Sequence, residues 1–289
     1  MSDNHTHTET PENCTHDCST CGEACAQHEP ESLQQPLRPG SRVDKVIAVV
    51  SGKGGTGKTS FVSGVGTALA QSGRRVLCLD CDIGLRNLDL ALGLSDRALM
   101  DFSDVAQGRC SLSAAVVEHP KVSGLYLLTA PVSNRGRPVT ETQMISLLQE
   151  VRHRFDFCLL DAPAGLGTGF RLATCGADRC VVVTCTDASS LRDAQHTVMV
   201  LNHFPAGRLH LVVNRVRKKL LRQLHTTIDD AIDKAGLPLL GVVPEDDALP
   251  LCLNRGIPVP LVENQLSAAA YRNIARRIRG ERVPLLRIR

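Results

Sequence analysis

A glycine-rich loop with two lysines carries the clearest chemical signal in the chain. Residues 51–60 read SGKGGTGKTS, directly after an apolar run and before a stretch with helical spacing. The spacing of Gly52, Gly57, Lys58 and Thr59 is the phosphate-loop pattern, in the strand, turn and helix context that it requires. Its glycines let successive backbone N–H groups point inward, and a helix start adds positive potential for an anion. The loop therefore predicts a nucleotide site.

The side chains of this loop have predicted roles of their own. Lys58 is expected to reach the β- and γ-phosphates, and Thr59 to supply a hydroxyl to Mg²⁺. The predicted nucleotide-binding residues of the loop are Gly52, Lys53, Gly54, Gly55, Thr56, Gly57, Lys58, Thr59 and Ser60. The alternative is a glycine-rich turn that matches by chance, which the strand, loop and helix context disfavours.

Three aspartates stand at the ends of two other apolar runs. Asp80 and Asp82 occupy alternate positions in LDCDIGLRNLDL, and Asp161 lies in LLDAPAG. If these strands are neighbours of the first one, their carboxyl ends bring the acids beside the phosphate loop. Mg²⁺ and an attacking water would sit there, and Asp161 can hold the metal's shell through water. Acids that only cap strand ends are the alternative interpretation.

The elements that must position these residues follow from the hydrophobic pattern. Short apolar runs predict strands at 46–50, 75–80, 125–129, 157–161, 180–185, 209–214 and 239–243. Helical spacing between them predicts helices at 59–71, 141–154, 189–204, 219–234 and 267–279. Runs that are apolar on both faces and separated by helices indicate a parallel sheet covered on both sides. We therefore predict a doubly wound α/β fold with a mostly parallel sheet of about seven strands.

Length and composition are those of one α/β domain with a short appendage. The 289 residues are 43% hydrophobic and 22% charged, which excludes a wholly disordered or fibrous chain. No apolar run approaches the roughly 18 residues of a membrane-spanning helix. The first thirty residues also lack the basic start and apolar stretch of a secretory signal. We expect a cytoplasmic protein, at most peripheral at the inner face of the membrane.

Charge divides the chain into unlike parts. Residues 1–40 carry seven acids and one base, whereas the rest carries 32 bases and 23 acids. We predict a Cys- and His-containing irregular tail at 1–42, a P-loop ATPase domain at 43–280 and a basic extension at 281–289. The arginine-rich end is suited either to contact nucleic acid or anionic lipid, or to form a solvated helix face.

Four cysteines stand within twelve residues of the tail, at Cys14, Cys18, Cys21 and Cys25. A tail without a core gains nothing by burying cysteine, so the cluster favours thiolate ligation of zinc or of an iron–sulfur cluster such as 4Fe-4S. Inert thiols are the alternative, because the spacing matches neither usual zinc-finger pairs nor common ferredoxin runs. Nothing marks the chain as exported, so disulfides are disfavoured, and the other eight cysteines are expected mostly in the core.

The second lysine of the loop gives the chain a family resemblance. With Lys53, the motif KGGTGKT resembles the deviant Walker A motif of the MinD/ParA/Mrp/nitrogenase-iron-protein class of ATPases. Five further segments resemble MinD sequences in the same order, at 79–90, 159–165 with 167–169, 186–193, 213–215 and 241–246. The segment around Asp82 is closer to MinD than to ParA or Mrp. The resemblance runs from about Val46 to Pro284, so it covers nearly the whole domain.

This resemblance implies roles for individual residues. In such ATPases the extra lysine, here Lys53, crosses a dimer interface to the partner's nucleotide, which implies a homodimer holding two ATP molecules; the alternative is a surface charge. Asp82 is then expected to position the hydrolytic water, and Asp80 to assist Thr59 and Asp161 around Mg²⁺. The segments that surround adenine in the family assign base contacts to Asn214, Pro244, Glu245 and Asp246.

The function implied by the resemblance is an Mg²⁺-dependent ATPase that switches between monomer and dimer in division-site placement. Lys53, Lys58 and Asp82 are its expected catalytic residues, and an activator or effector protein is its expected partner. The alternative is an Mrp-type iron–sulfur carrier or assembly ATPase that uses the tail cysteines. A nucleic-acid partitioning ATPase is less favoured. Because Pro284 is followed by only five residues, we expect membrane binding to be weak or absent.

Overall fold

The computed structural model describes residues 46–132, 138–205 and 207–286. The predicted tail at 1–42, with Cys14, Cys18, Cys21 and Cys25, lies outside these described residues, as do residues 287–289. Within them, the strands are β1 Val46–Val50, β2 Val76–Asp80, β3 Val117–Glu118, β4 Leu125–Leu128, β5 Phe157–Asp161, β6 Arg179–Thr184, β7 Leu209–Val216 and β8 Leu239–Pro244.

The helices of the described residues lie between these strands. They are α1 Lys58–Gln71, α2 Asn87–Leu92, α3 Phe102–Ala106, α4 Leu112–Ala115, α5 Glu141–Arg154, α6 Thr168–Thr174, α7 Ala188–Val200, α8 Lys218–Leu224, α9 Ile228–Ala235, α10 Ala248–Asn254 and α11 Leu266–Ile278. A short 3-10 helix at Val259–Leu261 precedes α11. None of the described helices is both long enough and apolar enough to cross a bilayer.

The strands form one sheet in the order β3-β4-β2-β5-β1-β6-β7-β8. Every neighbouring pair is parallel except β3 with β4, which is antiparallel. The predicted doubly wound, mostly parallel sheet is therefore confirmed, with one strand more than expected. The added strand is β3, a two-residue edge strand that is too short to leave a hydrophobic pattern in the sequence.

The sheet is buried on both faces, as its uniformly apolar strands predict. In β1, Val46, Ala48 and Val50 contribute to one hydrophobic core, and Ile47 and Val49 contribute to the other. Successive side chains of a strand point to opposite faces, so a central strand must be apolar throughout. This arrangement leaves the carboxyl edge of the parallel strands as the place where polar groups gather.

The predicted helix at 219–234 is in fact two helices, α8 and α9. The chain takes a left-handed conformation at His225, with φ of 50°, and Thr227 then caps α9 by accepting from the backbone N–H of Asp230. The side chain of Asp230 bonds back to the Thr227 backbone N–H, which completes a capping box. Apolar spacing continues across the break, and that continuity made the two helices look like one. The predicted helix at 189–204 is also shorter, because α7 ends at Val200.

The segment after α11 lies against the domain. Val283 is buried, and the Arg277 guanidinium donates to the backbone carbonyls of Val283 and Leu240. Leu286 packs at the edge of the core that includes α1 and α11. The predicted basic extension thus begins with residues that add to the core before its last three residues, which lie outside the described chain.

Candidate functional site

The phosphate loop connects β1 directly to α1. α1 begins at Lys58, and Gly57 caps it in a left-handed conformation with φ of 92°. A side chain at position 57 would also collide with the amide nitrogen of Asn214. That nitrogen donates to the backbone carbonyl of Thr56 at 2.7 Å, so β7 is tied to the loop. Only glycine meets both requirements at this position.

Lys58 is a buried cation held by the loop itself. Its side chain is 8% exposed, and Nζ donates to Ser51 Oγ at 2.8 Å. Ser51 Oγ in turn donates to the backbone carbonyl of Lys53 at 2.7 Å. Burial lowers the pKa of Lys58, and the negative charges of Asp161 and Asp82 oppose that shift. An ammonium group in this setting gains strongly from a phosphate ligand.

Asp80 and Asp161 stand side by side at the carboxyl ends of β2 and β5. The two residues are register partners, and both are buried. Burial raises the pKa of Asp80 to about 6, although the backbone N–H groups of Asp82 and Leu88 donate to its carboxylate. Burial and the charge of Asp80 raise the pKa of Asp161, and a hydrogen bond from Thr59 opposes the shift. Burial and mutual repulsion therefore disfavour ionisation of both carboxyls unless a cation joins them.

The donor set of this pair fits Mg²⁺. Asp161 Oδ1 is buried and has no hydrogen-bond partner among the described residues, which is costly unless a ligand or ion completes it. Magnesium is usually held by one or two carboxylates, waters and substrate phosphates, not by a full protein cage. The part of the chain that the structure describes contains no cluster of three or more His, Cys, Asp or Glu side chains arranged to hold a metal by themselves.

Asp82 lies two residues beyond the end of β2, half-buried at the mouth of the site. Burial raises the pKa of this carboxylate, and the positive charge of Lys58 opposes the shift. The electrostatic contact between Asp82 and Lys58 means that the predicted catalytic acid and the predicted phosphate-binding lysine share one small region. An acid in this position can accept a hydrogen bond from a water near the terminal phosphate.

Lys53 points away from the loop toward α7. Its Nζ donates to Ser189 Oγ at 2.7 Å and lies 3.4 Å from Asp187 Oδ1. Asp187 is also the N-cap of α7. Burial raises the pKa of Asp187, but hydrogen bonds from the two serines that follow it and from Lys53 outweigh burial and hold the pKa well below its usual range. Within one chain, Lys53 is therefore already paired.

The residues predicted to contact the base are only partly available. Asn214 is buried beside the loop, and its Oδ1 has no hydrogen-bond partner among the described residues. Pro244 is the buried last residue of β8. Glu245 forms an ion pair with Arg217, and the Asp246 carboxylate accepts from Ser267 Oγ at 2.6 Å and from the Ser267 backbone. The last two side chains thus have protein partners, whereas Asn214 offers a free acceptor.

Sequence reasoning missed several residues that shape the site. Ser51 immediately precedes the motif and holds Lys58, so its position was a usable signal. α7 supplies the others: a β-carbon at Gly52 would lie 2.6 Å from the Asp193 carbonyl and 2.8 Å from Thr197 Oγ1. The start of the loop is therefore packed tightly on α7, a contact across more than 130 positions of sequence that no local pattern reveals.

A strand, glycine-rich loop and helix with a buried lysine, facing paired aspartates at the carboxyl edge of a parallel sheet, define a P-loop nucleotide-binding protein. The family model described as the CobQ/CobB/MinD/ParA nucleotide binding domain matches residues 47–259. The chain belongs to this family of P-loop ATPases, as a MinD-like member.

Individual relatives are consistent with that assignment. The septum site-determining protein MinD of Bacillus subtilis is 40% identical over 247 residues, covering 83% of this chain and 91% of that protein. MinD in a MinC:MinD cell division protein complex of Aquifex aeolicus is 34% identical with a TM-score of 0.78, covering 84% and 98% of the two chains. MinD of Pyrococcus horikoshii, complexed with Mg-ADP, is 29% identical with a TM-score of 0.72, covering 81% and 95%. The MinD-like resemblance predicted from the motifs is confirmed.

Proposed function

We propose that the chain is an Mg²⁺-dependent ATPase that acts as an ATP-driven dimerisation switch in division-site placement. The observation that carries the proposal is the meeting of the buried Lys58, the unpartnered Asp161 Oδ1 and Thr59 at one edge of the sheet. A triphosphate would give the buried Lys58 cation an anionic partner, and its metal would give Asp161 Oδ1 a cation to bind. The septum-site relatives support the cellular process.

The residues divide the chemistry of hydrolysis among them. The N–H groups of residues 52–60 and Lys58 Nζ bind the phosphate oxygens and neutralise charge that develops on the transferred phosphoryl group. Thr59 and Asp161, with Asp80 beside them, would hold Mg²⁺, and the ion would supply positive charge to offset that of the phosphates. Asp82 orients the attacking water and accepts its hydrogen bond. Slow intrinsic turnover that awaits an activator is what such a switch requires.

Lys53 couples the nucleotide to dimerisation. Its bonds to Asp187 and Ser189 are exposed and give little stability by themselves, since its side chain is 43% exposed. Crossing to the partner's phosphates would replace them with charge-assisted bonds in a closed interface. ATP therefore favours the dimer. Hydrolysis removes the phosphate that Lys53 would bind in place of Asp187 and Ser189, so the dimer loses this stabilisation.

Asn214 is the residue that selects adenine. Its free Oδ1 can accept from the exocyclic amino group of adenine, while its Nδ2 stays bonded to the Thr56 carbonyl. Guanine offers a carbonyl at that position, which would face the same acceptor without a hydrogen. Pro244, Glu245 and Asp246 are the further expected base contacts, and the protein partners of Glu245 and Asp246 hold those two side chains in place.

An effector protein is the expected partner, as the MinC:MinD complex of the Aquifex relative suggests. We expect the protein to act in the cytoplasm. The alternative of an iron–sulfur carrier depends on Cys14, Cys18, Cys21 and Cys25, which lie outside the described residues, and the relatives give it no support.

The test is ATP hydrolysis by the full chain and by Asp82→Asn, each with Mg²⁺ and with excess EDTA. We expect the variant to lose at least about 100-fold in kcat while it still binds a fluorescent ATP analogue, because a transition-state contact is lost and the binding groups are not. EDTA should abolish wild-type turnover. Asp156→Asn, an aspartate at the opposite edge of the sheet, is the matched control. Unchanged hydrolysis in Asp82→Asn would contradict the assigned role, and turnover in EDTA would contradict the metal.

A further inference from the structure

The basic side chains at the end of α11 are engaged with their own surroundings. Arg276 and Arg279 both form ion pairs with Glu281. Arg272 and Arg277 donate to backbone carbonyls. These four arginines of the basic end therefore have partners within the described protein.

A second basic cluster lies on α8 and consists of Lys218, Lys219 and Arg222, which we call the α8 cations. All three are exposed, and none of their side chains forms a hydrogen bond or ion pair with another described residue. Their neighbour Arg217, by contrast, pairs with Glu245. The α8 cations are therefore charges that an outside partner can neutralise.

The charges of α8 do not favour the helix itself. Its first turn contains Lys218 and Lys219 and no acid, and its N-cap Arg217 makes no capping hydrogen bond through its side chain. Cations at a helix start face the positive end of the helix dipole, and Lys218 and Arg222 are like charges spaced i, i+4. Acids or a polar cap would stabilise the helix better. The cations thus indicate a role outside the helix.

The surface of α8 fits an anionic ligand that also has apolar surface. The α8 cations and Gln223 line an open cavity of about 440 Å³. Leu221 packs against the core, whereas Leu220 is 38% exposed. Carboxylates pair with guanidinium groups through two parallel hydrogen bonds, and with ammonium groups as point charges. The helix therefore offers cations and an apolar contact together.

Acidic side chains limit the extent of this positive surface. α9 follows α8 after residues 225–227 and carries the exposed Asp229 and Asp233. A bilayer or a nucleic acid presents phosphates over an area wider than one short helix, so some phosphates would approach these carboxylates at a cost. A short acidic segment of a protein can place its carboxylates on α8 alone. The arrangement favours a protein partner.

We propose that the α8 cations dock an acidic segment of a protein partner, with its carboxylates in the cavity and an apolar side chain beside Leu220. The proposal rests on the proposed function in one respect, since the effector expected there is the source of this segment. α8 follows β7, in which Asn214 bonds to the phosphate loop. A partner docked on α8 would therefore lie next to the nucleotide edge of the sheet.

Fluorescence anisotropy of the full chain at physiological ionic strength tests the docking, with a labelled peptide of consecutive glutamates flanked by leucines as the probe. The double variant Lys219→Glu with Arg222→Glu should raise the Kd of the peptide at least about tenfold, because two attractive charge pairs become repulsive. Leu220→Ser should raise it about threefold through loss of apolar contact. Lys121→Glu, an exposed lysine between β3 and β4 at the far end of the sheet, is the matched control with unchanged Kd.

The substitution Lys219→Glu agrees with the helix dipole, so lost binding would not reflect a weakened helix. Vesicles containing phosphatidylglycerol and duplex DNA are the competing probes, and we expect the double variant to bind them as wild type does. Three results would overturn the proposal: no peptide binding by wild type, equal peptide affinity in the double variant, or a loss of vesicle or DNA binding at least as large as the loss of peptide binding.

Basal ATP hydrolysis with Mg²⁺ separates this proposal from the proposed function. We expect the same basal rate in wild type, the double variant, Leu220→Ser and Lys121→Glu, because none of these residues contacts the nucleotide site as assigned. A wild-type chain that binds the peptide through α8 and hydrolyses no ATP would contradict the proposed function and still support the docking surface.

Discussion

The carboxylates at the two edges of the parallel sheet have different surroundings. At the amino edge, carboxylates complete the strand starts: Asp178 accepts from the Val46 backbone N–H at 2.9 Å and pairs with Arg152, and Asp156 accepts from the Arg75 N–H at 2.8 Å. At the carboxyl edge, Asp82 and Asp161 interact electrostatically with one buried lysine, Asp80 stands beside Asp161, and Asp161 Oδ1 has no hydrogen-bond partner among the described residues.

The difference separates groups that stabilise the fold from groups that await a ligand. Each amino-edge carboxylate joins an opposite charge or an otherwise orphaned N–H, so removing it should cost stability. At the carboxyl edge, Asp161 is held against burial and the charge of Asp80, so removing its carboxylate should relieve the apo protein and harm only its function.

The largest expected effect comes from matched substitutions at the two edges. Asp161→Asn should raise the free energy of unfolding without nucleotide by about 1 kcal/mol, because burial and the charge of Asp80 oppose ionisation of the carboxyl and a neutral amide avoids that penalty. The same change should lower Mg²⁺-dependent ATP turnover at least about 100-fold. Asp178→Asn should lower the free energy of unfolding by about 2 kcal/mol, because Arg152 loses its charged partner, and leave kcat unchanged.

Urea unfolding and steady-state ATPase assays measure both quantities on the same preparations. A loss of stability in Asp161→Asn as large as that in Asp178→Asn would remove the distinction between the edges. Retained activity in Asp161→Asn would remove Asp161 from the metal site.

His210 provides a pH test that is remote from the nucleotide edge. It is buried in the amino-terminal half of β7, and burial, helped by the charge of Arg179, lowers its pKa from 6.5 to about 4. The folded chain keeps His210 neutral, whereas the unfolded chain protonates it below pH 6.5. The free energy of unfolding is therefore unaffected by His210 above pH 6.5 and decreases as pH falls toward 4. Between pH 7.5 and 5 the loss should be about 2 kcal/mol.

His210→Gln should flatten this part of the stability profile relative to wild type, as measured by urea unfolding at the two pH values. His225→Gln, at an exposed position, should leave the profile unchanged. Parallel profiles for wild type and His210→Gln would contradict the assignment of acid sensitivity to this side chain.

The smallest expected effect concerns the lysine that faces α7. Asp187→Asn keeps the helix cap but removes the charge that holds Lys53 within its own chain. We expect ATP-dependent dimerisation to tighten about two- to fivefold, in line with an exposed ion pair. Analytical ultracentrifugation in the presence of a non-hydrolysable ATP analogue measures it, with Asp229→Asn on α9 as control. Weaker dimerisation in Asp187→Asn would mean that Asp187 supports the interface instead of competing with it.

Local sequence was enough to predict the elements that carry the phosphate loop. Apolar runs and the spacing around Lys58 identify β1 and α1, and the runs that end in Asp80 and Asp161 identify their neighbours. The left-handed backbone of Arg215 within β7, with φ of 55°, was not predictable, because it accompanies a register shift between β7 and β8. The pairing of Lys53 with Asp187 joins residues 134 positions apart, and only the folded sheet brings them together.

The central claim is that ATP joins two copies of this chain through Lys53. The most direct test is sedimentation velocity with and without Mg²⁺ and a non-hydrolysable ATP analogue. It is carried out on the full chain and on the variant Lys53→Ala. We expect wild type to shift from monomer to dimer with the analogue and Lys53→Ala to stay monomeric while still binding nucleotide. A wild-type chain that binds the analogue and remains monomeric, or a variant that dimerises equally well, would contradict it.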